Sequence, residues 1–181
     1  MSHLCVFHSS NTRQPIKLLN HNDDIARELA EIGVRFAQCP VTAPVTGQST
    51  EQEIIAAYQA EIDRLEAAGY HAVDVLNVDE QQPQNDQQHN SSVQEYSHAE
   101  DEVRLFVAGR GLLNFHVDEH VYALMCEKGD LVEIPAGIKR WFDMGEHPRC
   151  ALLRLFASEA GREQVLTEAD IASRYPSFSD Y

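Results

Sequence analysis

The chain is expected to be mainly β, an antiparallel sandwich or barrel with a few flanking α-helices. From Glu102 onward apolar residues alternate with a period of two, placing Val103, Leu105 and Val107 on one face and Glu102, Arg104 and Phe106 on the other. Turn signals then recur every several residues, at Gly109-Arg110-Gly111, Asp118-Glu119, Lys128-Gly129-Asp130 and Pro135-Ala136-Gly137. They leave the short strands LLNFHV, VYALMC, LVEI, RWF and CALLRLF, a series that suits a sandwich or barrel. The 181 residues, 43% of them hydrophobic, fit a single domain with a core of its own.

Residues 1–78 read as a mixed helix and strand segment. Asn22 can cap a short helix in which Ile25, Leu29 and Ile32 recur at helical spacing before Gly33 ends it. A second helix is better marked. Thr50 and Glu53 form a T-x-x-E capping box, Ile54, Tyr58, Ile62 and Leu65 make one apolar stripe, and Gly69 closes it. Residues 79–93 are almost entirely polar, rich in Gln and Asn and interrupted by Pro83, which predicts a solvated loop. The strands fill 94–157, and a last helix is expected from Thr167, with Asp170 three residues on, to about Tyr175 before Pro176, within a C-terminal segment spanning 158–181.

Composition narrows the function classes. Fourteen basic against twenty-nine acidic side chains give a formal charge of -15, and no basic patch interrupts the sequence, so neither nucleic acid nor an anionic membrane is an expected partner. Cys5, Cys39, Cys126 and Cys150 are widely spaced with no C-x-x-C pair and no signal peptide ahead of them, which reads as reduced thiols in the cytoplasm. No apolar run approaches the length of a bilayer span.

The densest cluster of potential ligands is Tyr96-Ser97-His98-Ala99-Glu100-Asp101-Glu102-Val103-Arg104, where the polar loop gives way to strands. Residues two apart on a strand share a face, so Tyr96 and His98 can aim at one point inside a barrel, and Glu102 can rejoin them after a bend. Imidazole nitrogen with carboxylate oxygen suits Fe(II), Ni(II), Mn(II) or Zn(II), and a barrel mouth can leave coordination positions open for substrate and dioxygen. Set against this, a lone His beside carboxylates is more often a surface residue.

The segment His98-Ala99-Glu100-Asp101-Glu102-Val103-Arg104, followed by Phe106-Val107-Ala108-Gly109, resembles the first cupin motif as acireductone dioxygenases write it, H-x-H-x-E-D-E-V-R-F-F-V. Cys126-Glu127-Lys128-Gly129-Asp130-Leu131, Pro135-Ala136-Gly137 and Trp141-Phe142-Asp143-Met144-Gly145 are similar to that family's C-E-K-N-D-L, V-P-A-G and H-W-F-D-M-G. The resemblance covers nearly the whole chain. It implies a cupin-type jelly-roll barrel, expected as a monomer, that holds one Fe(II) or Ni(II) and reacts an acireductone with O2 in methionine salvage. By the same resemblance His98 and Glu102 match metal ligands, Arg104 matches the catalytic basic residue that helps form and hold the substrate dianion, and Glu95 and Asp101 match supporting positions. An ion pair with a nearby carboxylate is the structural alternative for Arg104.

Two positions depart from the family pattern, Tyr96 standing at its first His and Arg140 at its last, just before Trp141. Free Tyr has a pKa of about 10 and must lose its proton to bind, so Tyr96 is at best a weak ligand. Guanidinium has no lone pair to give, so Arg140 is expected not to ligate but, if it points inward, to pair with Glu102 bidentately and fill the metal's place. His89, His116, His120 and His147 are the other imidazoles that could serve. Two functions follow: a dioxygenase working with an altered site, or a metal-free, inactive cupin that binds a small anion or regulates a complete paralogue.

Overall fold

The computed structural model describes residues 1–80, 93–167 and 169–181; most of the expected polar loop lies outside them. In chain order the elements are β1 (His3–His8), β2 (Lys17–Leu19), α1 (Asn22–Ala30), β3 (Arg35–Gln38), α2 (Glu51–Ala57), α3 (Gln59–Ala67), β4 (Ala72–Asp79), β5 (Tyr96–Ser97), β6 (Glu102–Val117), β7 (His120–Glu127), β8 (Asp130–Ile134), β9 (Lys139–Asp143), β10 (Arg149–Phe156) and β11 (Val165–Leu166).

The strands pair antiparallel throughout and form two sheets that share β6. One runs β11-β5-β9-β6-β7-β1-β2, and in the other β6 lies between β10, which carries β4, and β8, which carries β3. The first half of β6 pairs with β10 and β8, and from Arg110 onward it pairs with β7 and β9. This is the jelly-roll barrel the sequence predicts, with one correction. Gly109-Arg110-Gly111 is not a turn between strands but the interior of a single 16-residue strand. Gly109 has φ +68°, and a Cβ there would lie 1.8 Å from the Arg149 carbonyl oxygen, so glycine lets the strand bend sharply from one sheet to the other without breaking.

The period-two pattern of β6 sorts its side chains as expected. Val103, Leu105 and Val107 pack with Leu153 and Leu155 beneath Ile54, Tyr58, Ile62 and Leu65 of the helical layer. Phe106 points the other way, into a cluster with Leu4, Val6, Leu113, Phe115, Leu124, Phe142 and Leu152 between the sheets. Glu102 and Arg104 share that inner face by alternation, and both are buried.

The helices follow their signals with three corrections. The Thr50–Glu53 capping box forms, but the apolar stripe it starts is divided between α2 and α3 at Tyr58, whose φ of -112° and ψ of 22° leave the helical region. In α1 the cap position belongs to His21, and Asn22 is the first helical residue. The expected last helix is reduced to one 3-10 turn, Ala172–Arg174; Thr167 instead gives its amide and hydroxyl to the backbone and side chain of Glu95, so it caps no helix. All four cysteines are free and buried, and no helix among the described residues is long and apolar enough to cross a membrane.

Candidate functional site

The inner ends of β5, β6 and β9 bring five of the singled-out side chains together. Tyr96 and Arg140 stand directly opposite one another across the β5–β9 pair, while Glu102 and Arg104 come from the start of β6 and His98 from the chain just after β5. Tyr96, His98, Glu102, Arg104 and Arg140 are each at most 1% exposed.

Glu102 is the hub. Its Oε1 accepts from Arg104 Nε at 2.7 Å and its Oε2 from Arg140 Nη1 at 2.8 Å, so the two oxygens are divided between two guanidiniums. Arg104 Nη2 donates to the Tyr96 hydroxyl at 2.6 Å, and its guanidinium carbon lies 5.1 Å from the centre of the Phe142 ring. Arg140 Nε donates to the Ile138 carbonyl at 3.1 Å, and its Nη2 has no partner among the described residues. Arg140 therefore points inward as expected, but grips Glu102 through one nitrogen rather than two.

His98 Nδ1 lies 2.9 Å from the Glu163 carbonyl oxygen, which can only accept. The proton of a neutral imidazole is thus fixed on Nδ1, and Nε2 keeps its lone pair. That nitrogen is 3.9 Å from Glu102 Oε2 and has no hydrogen-bond partner among the described residues. Burial lowers the His98 pKa, with Arg140 and Arg104 adding to the effect, so the ring is neutral at pH 7.

Glu102 shows how the charges balance. Burial alone would raise its pKa, but Arg104 and Arg140 beside it win and hold it at about 2. The two partners are unequally served. Burial works against the charge on both, yet Glu102 and Tyr96 carry Arg104 above its ordinary value, whereas Arg140, repelled by Arg104, is left below it. Both remain guanidinium cations, because the intrinsic pKa exceeds 12. One carboxylate between two cations leaves the cluster with a net charge of +1 away from bulk solvent.

The remaining expected residues lie apart from this hub. Glu95 Oε2 is 2.6 Å from His116 Nδ1, and its Oε1 accepts from Thr167 Oγ1 at 2.6 Å. Asp101 Oδ1 accepts from the Ala136 amide at 2.8 Å, pinning the turn that follows β8. His120 meets His8 edge to face, His147 pairs with Glu80, and His89 lies outside the described residues. Sequence reasoning missed the Glu163 carbonyl that orients His98 and the Phe156 ring 4.9 Å from it. A carbonyl carries no side-chain signal, and Phe156 reads only as a core residue of β10.

The donor set does not fit the divalent ion that the resemblance implies. Both Glu102 oxygens are engaged by cations, the Tyr96 oxygen accepts from a third N–H, and Arg140 has no lone pair. His98 Nε2 is the one free donor of the four positions. Among the described residues no group of three or more His, Cys, Asp or Glu side chains is placed to hold a metal.

Comparison with known proteins bears on the whole chain. It is 49% identical over 181 residues, 99% of this chain and all of the relative, to a protein of Pseudomonas paraeruginosa named acireductone dioxygenase, and 48% identical over the same span to one so named in Pseudomonas aeruginosa. Its fold is that of a Bacillus anthracis acireductone dioxygenase solved with a cadmium ion in its active centre, at a TM-score of 0.79 and 23% identity, covering 91% of this chain and 98% of that one. A profile of the ARD/ARD' family matches residues 6–164, and with the barrel and the motifs along β6 and β9 this makes the chain a member of the acireductone dioxygenase family.

Proposed function

We propose that this chain acts in methionine salvage on 1,2-dihydroxy-3-keto-5-methylthiopentene, with O2 as co-substrate, in the dioxygenase reaction for which its relatives are named. One observation carries the reading: His98, Glu102 and Arg104 are kept together inside the barrel of a chain 49% identical, end to end, to a named acireductone dioxygenase. In the family's iron form the products are 4-methylthio-2-oxobutanoate and formate; in its nickel form they are 3-methylthiopropanoate, formate and carbon monoxide. Arg104, fixed by Glu102, Tyr96 and Phe142, is the cation suited to hold the substrate's oxyanions. The Nε2 lone pair of His98 is the donor that would hold a metal for this reaction.

A second reading is favoured by the Arg140–Glu102 contact, which places a cation among the ligand positions. On it the chain is a metal-free cupin that binds a small anion, or serves as the partner of a complete paralogue. Acireductone turnover separates the two. Protein purified without a tag and incubated anaerobically with Fe(II) or Ni(II) is given acireductone, and O2 uptake is followed beside metal content. Uptake that needs bound metal and is lost in His98→Ala supports the dioxygenase. Absence of both metal and uptake, with the chain folded, overturns it in favour of the second reading.

A further inference from the structure

Three features of the hub converge. The carboxylate at its centre is saturated by two guanidiniums, one of them Arg140 on β9. Directly opposite Arg140, Tyr96 takes the second branch of Arg104, so that Glu102 can divide its oxygens between two cations. The nitrogen best suited to a metal, His98 Nε2, is buried, carries its lone pair and has no hydrogen-bond partner among the described residues, and the buried Arg140 Nη2 group likewise has no partner among them. A divalent ion approaching Glu102 and His98 would meet a fixed positive charge already resting on Glu102 Oε2, with little water to screen it.

We propose that Tyr96 and Arg140 form a matched replacement that closes the barrel site to divalent cations, the Arg140 guanidinium serving as a built-in cation in the metal's place. The proposal rests on the second, metal-free reading above, and metal-dependent turnover by the unaltered chain would overturn both. The two residues act together. Arg140 supplies the charge, and Tyr96 supplies a hydroxyl oxygen that accepts from Arg104 and spreads its load. Restoring a ligand at one position alone leaves either the resident cation or an incomplete donor set, so removing the cation recovers metal binding in part and full recovery requires both.

The test compares the unaltered chain with Arg140→Gln, Arg140→His and the double variant Tyr96→His/Arg140→His, using Ni(II) alone and then Mn(II) alone as probes. Bound metal is measured by plasma mass spectrometry, and the shift of the thermal midpoint with added ion gives a readout independent of activity. The expected result is no stoichiometric metal and no thermal shift for the unaltered chain. The double variant should hold near one ion per chain, with affinity raised on the order of 100-fold or more, since even residues that only orient ligands are worth 10–100-fold. Arg140→Gln removes the cation without adding a ligand and should fall between. Stoichiometric metal on the unaltered chain that vanishes in His98→Ala overturns the proposal, as does an Arg140→Gln chain that is folded by circular dichroism yet binds no better than the unaltered one. The unaltered chain and Arg140→Gln decide the matter even where the double variant does not fold. Acireductone oxidation by metal-free protein would sink the inactive-protein reading and leave this proposal standing.

Discussion

Glu102 is the residue on which most others at the site depend, and its loss and its protonation have separate signatures. Glu102→Gln leaves two buried guanidiniums without a counter-charge, and breaking a buried pair in this way costs about 3–5 kcal/mol, readable as a lower urea midpoint with the slope unchanged. A loss below about 1 kcal/mol would mean that the arginines had found water. Acid acts through the same group. Its pKa is about 2 in the fold against an ordinary 4.5, so its contribution is complete above 4.5 and drains away as pH falls toward 2. Urea midpoints measured on the two sides of that window should fall more in the unaltered chain than in Glu102→Gln; equal falls would assign the acid sensitivity elsewhere. At this scale the sequence was partly legible. Alternation along β6 puts Glu102 and Arg104 on the inner face, and the absence of a lone pair rules Arg140 out as a ligand. The Arg104–Tyr96 bond was not legible, because it joins two strands whose pairing depends on the intervening chain.

Among the elements, β6 governs the site because its first half carries Glu102 and Arg104 into the hub and its second half pairs with β7 and β9. Its bend depends on Gly109, where any side chain would meet the Arg149 backbone and also have to adopt φ +68°. Gly109→Ala should therefore destabilise by more than about 2 kcal/mol, and thermal unfolding read alongside circular dichroism would check it. A neutral outcome would mean that β10 yields easily at Arg149. The capping box is the milder counterpart. Thr50 Oγ1 accepts from the Glu53 amide and Glu53 returns the bond to the Thr50 amide, so Thr50→Ala should cost about 0.5–2 kcal/mol, with no effect on metal content. The capping box was readable because it is a local pattern. The Gly109 bend was mistaken for a turn because a glycine pair signals a left-handed backbone equally in a hairpin and in a continuous strand that changes sheets. The C-terminal helix failed for a related reason: Thr167 carries a capping side chain, but Glu95, far off in sequence, claims it.

For the molecule as a whole, the four free cysteines report on packing. Burial raises the thiol pKa of all four, that of Cys150 to about 12, and none is exposed. Ellman's reagent at neutral pH should label the native chain little and all four thiols after denaturation; rapid labelling of the native chain would indicate local opening. The two-sheet architecture was legible from the strand spacing, whereas the order of strands within it depends on partners distant in sequence. One such partnership has a consequence for synthesis. β1 pairs with β7, His3 facing Met125 and His8 facing His120. The strand has apolar side chains on both faces, Leu4 and Val6 toward one cluster and Cys5 and Phe7 toward another. On a ribosome adding roughly 5–20 residues per second, this strand, apolar on both faces, is made ahead of β7 and waits on the order of ten seconds for it. During that interval it offers a chaperone an apolar segment to hold, and in a crowded cell without one neighbouring nascent chains can stick to it.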